Sequence, residues 1–252
     1  MIKVERIHKS FRDTKVLQDV SFEINRGDFL AIMGPSGSGK STLLYSVSGM
    51  DHIDSGSVLF DGINLCDMKE EALSDFRLSK MGFVFQSPQM LKNLSVFDNI
   101  ILPGLVAKKE TAEEIRKRGS ELMERMEIEE IKSRDNREVS GGQLQRASIC
   151  RAMINHPEIL FLDEPTGALN SEATDQVLEI LGHLNEDGMT VMTVTHDQRV
   201  AAKAKKVLYI IDGQIAACKE FSAGADREYE LKEWLTGLQA KKEICTGKEQ
   251  GN

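Results

Sequence analysis

The sequence predicts an α/β fold: a buried, mostly parallel sheet, an antiparallel sheet at the N-terminus and a helical insertion in the middle. Three observations point there. The run Phe29 to Met33 is continuously apolar, as suits a strand buried on both faces. It leads through glycine-rich residues into a helical stretch, and strand-then-helix alternation resumes at Ile159. Ahead of Phe29, apolar and polar residues alternate instead, the pattern of strands with one wet face.

Taken in order, Ile2 and Val4 alternate with charged neighbours, and Val20, Phe22 and Ile24 alternate again before a turn at Asn25-Arg26-Gly27. A helix is expected from Lys40 to about Gly49, then a strand over Val58 to Phe60 with Asp61-Gly62 as its turn. The middle reads as helical: Thr111 with Glu114 fits a capping box, and Ile115, Leu122, Met123 and Met126 fall on one face. A strand follows at Ile159 to Leu162, and a helix near Ser171 to Glu186 turns Val177, Leu178, Leu181 and Leu184 inward. Further strands lie at Val191 to Val194 and Val207 to Ile211. The last thirty or so residues suggest one amphipathic helix. Leu231, Trp234, Leu235 and Leu238 share a face, acids open it, and Lys241-Lys242 close it, with fraying expected beyond Gly247.

Composition narrows the function classes. A chain of 252 residues with 40% hydrophobic content can bury a sizeable core. A net charge of −8 argues against non-specific nucleic-acid binding and against a polybasic membrane anchor. No apolar run approaches a membrane span, and Met1 to Arg6 holds no signal-peptide core. Cys66, Cys150, Cys218 and Cys245 are far apart, without a CxxC, and read as ordinary reduced thiols of a cytosolic protein.

Three motifs carry chemistry. Gly34-Pro35-Ser36-Gly37-Ser38-Gly39-Lys40-Ser41-Thr42 matches G-x-x-x-x-G-K-[ST] after a strand and at a helix start. Glycines let the backbone wrap tightly, so that successive N–H groups and the helix N-terminus face a phosphate. Lys40 is expected to reach the β- and γ-phosphates, and the Ser41 hydroxyl to take one Mg²⁺ position. Ile159 to Leu162 is an apolar strand ending in Asp163 and Glu164. Ligands of open α/β sheets bind at the carboxyl ends of strands, so Asp163 is assigned to the Mg²⁺ shell and Glu164 to the attacking water. Third, Ser140 and Gln143 fit a capping box for a helix running to Met153. Gly141 and Gly142 are poor helix formers, and bare N–H groups at a helix start suit an anion, so cap and phosphate site are read as one object.

This ordered set resembles the ATP-binding subunits of ABC transporters over roughly Met1 to Ile215. The resemblance rests on Gly34 to Thr42, Gln86 after Gly82 to Phe85, Val139 to Gln143, Ile159 to Glu164, and His196 after Val191 to Thr195. It implies a P-loop NTPase core of RecA type within residues 1–220. A helical signature subdomain would be inserted at about 87–155, and 221–252 would form a C-terminal helix and tail. By resemblance, Phe11 stacks on adenine, Gln86 sits at the Mg²⁺ and γ-phosphate facing a permease, and His196 contacts the γ-phosphate. Ser140, Gly142 and Gln143 would close over ATP held by the Lys40 loop of a second subunit, so a complete pocket needs two chains.

Pro88, Leu91, Leu94 to Val96, Asn99-Ile100, Leu102-Pro103 and Asp163 to Leu169 look like the macrolide-export, lipoprotein-release and antimicrobial-peptide-resistance group. Its members pair with permeases carrying a large extracytoplasmic domain, which implies a peripheral place on the cytoplasmic face of the plasma membrane. Two residues depart from the pattern. Val139 stands where leucine is usual, and Asn170 where aspartate is, losing a charge but keeping hydrogen-bond capacity. The leading reading is an ATPase that drives a permease, with peptide antibiotics as the suggested cargo. The alternative is a non-transport ATPase of the same superfamily that regulates a membrane protein, as a cell-division-type or mechanotransmission module. A DNA-repair ATPase would carry a coiled-coil or zinc insert and a translation ATPase two cassettes, neither of which this sequence shows, and a simple P-loop kinase leaves Ser140 to Gln143 and the long helical insertion unexplained.

Overall fold

The computed structural model describes residues 1–222 and 226–247, with side chains as far as Leu238. Two long strands, β1 (Ile2–Phe11) and β2 (Thr14–Ile24), open the chain as an antiparallel hairpin. The wholly buried β3 (Phe29–Met33) follows, and the glycine-rich loop leads from it into α1 (Lys40–Val47). Next, β4 (Ser55–Phe60) and β5 (Ile63–Asn64) return beside β1, completing an antiparallel sheet in the order β2-β1-β4-β5. The helix α2 (Glu70–Lys80) leads into β6 (Met81–Phe85). The helical middle is α3 (Val96–Ala107), α4 (Ala112–Arg125) and α5 (Gly141–Met153). Then come β7 (Ile159–Asp163), α6 (Ser171–Glu186), β8 (Thr190–Val194), α7 (Gln198–Lys203), β9 (Lys206–Ile211), β10 (Gln214–Glu220) and α8 (Arg227–Gly247).

The second sheet runs β10-β9-β3-β8-β7-β6, parallel except for the edge strand β10. Strand alternation divides the hydrophobic residues between its two faces. Phe29, Ala31, Met33, Leu160 and Leu162 point to the helices, where they meet Ile100, Ile149, Val177 and Leu181. Leu30, Ile32, Ile159 and Phe161 point to the antiparallel sheet and α1, where they meet Val4, Phe60, Leu43 and Leu44. Phe161 is fully buried between the sheets, and burial on that scale contributes about 1.5–3 kcal/mol. The apolar run of β3 is thus read by two cores at once.

Helix ends follow local chemistry. Both halves of the Thr111/Glu114 capping box form on α4, and both halves of the Ser140/Gln143 box form on α5. The inward residues expected of α6 are buried. On α8, Leu231 and Leu235 are buried, Trp234 stands edge-on to Tyr209, and Glu228 and Glu230 open the helix. Lys241 and Lys242 lie beyond the described side chains, and the fraying expected after Gly247 lies outside the described residues. Cys150 sits in the helical core, where burial pushes its thiol up to about 12; Cys66 and Cys218 are exposed free thiols.

Strand register brings the chemical residues to one edge. β3 lies between β8 and β9, and β8 lies next to β7, with Ile32 opposite Val194 and Val194 opposite Asp163. The loop after β3, the acids ending β7 and the residues after β8 therefore leave the sheet side by side.

Candidate active site

The glycine-rich loop has a backbone that only glycine accommodates at its ends. At Gly34 a Cβ would stand 2.1 Å from the carbonyl oxygen of Ile210. At Gly39, with φ +96°, a Cβ would stand 2.7 Å from the Val16 carbonyl and 3.2 Å from Leu17. The hairpin that carries Phe11 therefore packs directly on the loop. Lys40 Nζ donates to the carbonyls of Gly34 (3.0 Å) and Pro35 (2.9 Å), curling back along the loop. Burial pushes the Lys40 ammonium below its ordinary pKa, against the upward pull of Glu164 and Asp163. Ser38 Oγ is buried with no partner of its own. A desolvated ammonium and an orphaned hydroxyl in one loop suit an anionic ligand.

Asp163 is held through both oxygens. Ser41 Oγ donates to Oδ1 at 2.9 Å, and the Tyr45 hydroxyl donates to Oδ2 at 2.6 Å. With its O–H directed at the carboxylate, Ser41 keeps its lone pairs for another partner. A hydroxyl beside a carboxylate is a hard-oxygen pair that fits Mg²⁺ completed by waters and phosphate. Among the described residues there is no cluster of three or more His, Cys, Asp or Glu side chains able to hold a metal by itself.

Glu164 adopts a left-handed backbone with φ 50°, its N–H held by the Val194 carbonyl at 2.9 Å. Its Oε2 accepts from His196 Nδ1 at 2.8 Å and from the His196 N–H at 3.3 Å. Residues 32 apart in sequence thus meet because β7 and β8 are neighbours. Gln86, exposed after β6, lies against Gly167, where a Cβ would be 2.9 Å from its Nε2.

Lys40, Ser41, Asp163, Glu164 and His196 converge on one sheet edge, with Gln86 against the turn that follows Glu164. Phe11 stands apart at the hairpin tip, half exposed, with Lys9 Nζ 4.8 Å from its ring centroid. The Ser140 to Gln143 group is also apart. Gly141 and Gly142 approach Leu169 and Ala173, and Gln143 Nε2 donates to Glu130 at 3.1 Å. Asn170 caps α6 by accepting from the Ala173 N–H at 2.9 Å.

Two features were not read from the sequence. Tyr45 is one; its spacing of four from Ser41 on a helix was the available signal. The other is a cleft of about 400 Å³ beside β6, lined by Met50, Phe83, Phe85, Pro103 and Arg151. Burial pushes the Arg151 guanidinium below its ordinary pKa, and among the described residues it joins no ion pair. Only assembled coordinates show that cleft.

A glycine-rich loop between a central parallel strand and a helix, with acids at the end of the next strand but one, defines a P-loop nucleotide-binding protein. Comparison with known proteins narrows the class. The family model described as ABC transporter matches residues 17–167. The ABC transporter ATP-binding protein YxdL of Bacillus subtilis is 41% identical over 219 residues, 85% of this chain and 85% of that protein. The macrolide export ATP-binding/permease protein MacB of Aggregatibacter actinomycetemcomitans is 39% identical over 85% of this chain, which spans 34% of that protein. Against the macrolide-export relatives the chain thus covers about a third of their length. The dimeric, ADP- and Pi-bound structure of the ATP-binding cassette MJ0796 superposes with a TM-score of 0.83 at 35% identity, covering 88% of this chain and all of that one. The chain belongs to the ABC transporter family, as an ATP-binding cassette.

Proposed function

We propose that this chain binds ATP with Mg²⁺, hydrolyses it, and so drives a membrane permease, working as an ATP-dependent homodimer. The observation that carries this reading is the convergence of Lys40, Ser41, Asp163, Glu164 and His196 at one sheet edge. In it, residues Gly34 to Thr42 wrap the phosphates, and Lys40 exchanges the loop carbonyls for the β- and γ-phosphates. Phe11 offers its ring to adenine. Ser41, Asp163 and Gln86 hold Mg²⁺, which when bound neutralises phosphate charge. Glu164 polarises the attacking water, and His196 meets the γ-phosphate. Phosphoryl transfer asks little covalent work of a protein, so positioning and charge neutralisation by these residues supply most of the catalysis.

Ser140, Gly141, Gly142 and Gln143 complete the pocket of a second copy. They form the first turn of α5, where a capping box occupies the Ser140 and Gln143 N–H groups and a helix N-terminus suits an anion. The dimeric state of the MJ0796 cassette supports this arrangement. Loss of the γ-phosphate then removes contacts shared by both chains, and the dimer loosens. Domain limits follow: 1–220 form the ATPase domain, with 87–155 as its inserted signature subdomain, and 221–252 an appended helix and tail.

The permease is the partner, faced by Gln86, and it carries a large extracytoplasmic domain. No helix among the described residues is long and apolar enough to cross a membrane. In this reading the cassette works from the cytoplasmic face through the permease, as its membrane-transporter relatives suggest, with peptide antibiotics as cargo. The test is a mild-detergent pull-down of tagged Glu164→Gln with ATP from its own membranes, alongside an ATPase assay of the unaltered chain. Phosphate release by the unaltered chain and recovery of a polytopic permease are expected. No phosphate release would remove the hydrolysis reading, and a soluble dimer alone would remove the permease.

A further inference from the structure

We infer that Tyr45 is a positioning residue that fixes the Asp163 carboxylate and thereby sets the divalent-cation affinity of the site; this rests on the nucleotide reading above. Ser41 and Tyr45 are one turn apart on α1 and face the same way. Their hydroxyls donate to different oxygens of Asp163, at 2.9 and 2.6 Å. Two donors on two oxygens prevent the carboxylate from rotating about its own bond. Without the phenol, Oδ2 is free to turn toward the Ser41 proton or toward solvent.

The phenol is built into the fold. Tyr45 is half-buried against the core between the sheets, and its ring lies tilted against Phe85, 6.5 Å between centroids. Asp163 is the one hydrogen-bond partner of its hydroxyl among the described residues. A phenol, with an ordinary pKa of about 10, donates as a neutral group. Neutrality matters chemically. A lysine or arginine at this place would form an ion pair and compete with a cation for the carboxylate, whereas a phenol orients it and leaves its charge available.

The test uses the full chain, a fluorescent ATP analogue, and titration with Mg²⁺. Tyr45→Phe keeps the ring against Phe85 and removes only the donor. We expect its half-saturating Mg²⁺ concentration to rise about tenfold, the range seen when partners of metal-binding groups are removed. Analogue affinity in EDTA should match the unaltered chain. Tyr45→His, which restores a ring donor, should recover part of the difference. In an Asp163→Asn background, Tyr45→Phe should change nothing further. An unchanged Mg²⁺ dependence in Tyr45→Phe, an equal loss with and without Mg²⁺, or a full effect in the Asp163→Asn background would each overturn the inference. An unaltered chain whose analogue binding ignores Mg²⁺ would overturn the metal reading, and this inference with it.

Discussion

Alanine at two glycines of the same loop should have sharply different effects. Gly37 and Gly39 both have left-handed backbones, φ +77° and +96°, but a Cβ at Gly37 would meet nothing within 4 Å. At Gly39 it would meet the Val16 carbonyl at 2.7 Å and Leu17 at 3.2 Å, both on β2. A left-handed L-residue costs about 1–2 kcal/mol, so that is the whole penalty for Gly37→Ala. Gly39→Ala adds the displacement of packed backbone, about 1–3 kcal/mol more, for a total of about 2–5 kcal/mol. Both changes stiffen the unfolded chain, which offsets roughly 0.4–1 kcal/mol in each and cancels in the comparison. Urea denaturation of the nucleotide-free proteins gives the free energies, provided the m-values agree. For a chain of this size the difference also appears as a further drop in Tm of about 2–4 °C per kcal/mol. Equal losses, or a larger loss at Gly37, would refute the claim that the β1–β2 hairpin is seated on the loop.

Other expectations concern the nucleotide. Lys40→Ala should weaken ATP binding by at least about 100-fold, since charge-assisted hydrogen bonds contribute roughly 1.5–3 kcal/mol each; fluorescence titration showing normal affinity would end that assignment. Ser140→Ala removes the cap received by the Gln143 N–H and should lower stability by about 0.5–2 kcal/mol. It should also leave monomer ATP binding intact while abolishing the ATP-driven dimer, as light scattering would show. Asn170→Ala should cost about 1 kcal/mol in a thermal melt, whereas Asn170→Asp should keep the α6 cap and match the unaltered chain or exceed it by a few tenths.

Where chemistry is local, the sequence was readable. The capping boxes at Thr111 and Ser140 formed with both halves in place, and the inward face of α6 followed its helical spacing. The helices α2 and α3 and the edge strand were harder. α3 contains Pro103, which marks a break in a pattern search; here the helix continues around it because Phe97, Ile100 and Ile101 are buried in the core. α2 buries Leu73 alone among its residues, so its amphipathic signal is faint. β10 alternates half-buried with exposed residues and has β9 as its single neighbour. The site divides the same way. The loop and the acids are contiguous motifs, but the Tyr45–Asp163 bond spans 118 positions and exists only through the packing of α1 on β7. The Glu164–His196 pair likewise depends on strand order, which residue spacing does not encode.

That pair fixes the tautomer of an imidazole. With Nδ1 turned to the Glu164 carboxylate, the neutral ring carries its proton there and presents a bare lone pair at Nε2. The Glu164 carboxylate thus aims the ring, and two loops that leave neighbouring strands are tied into one unit at the proposed phosphate site.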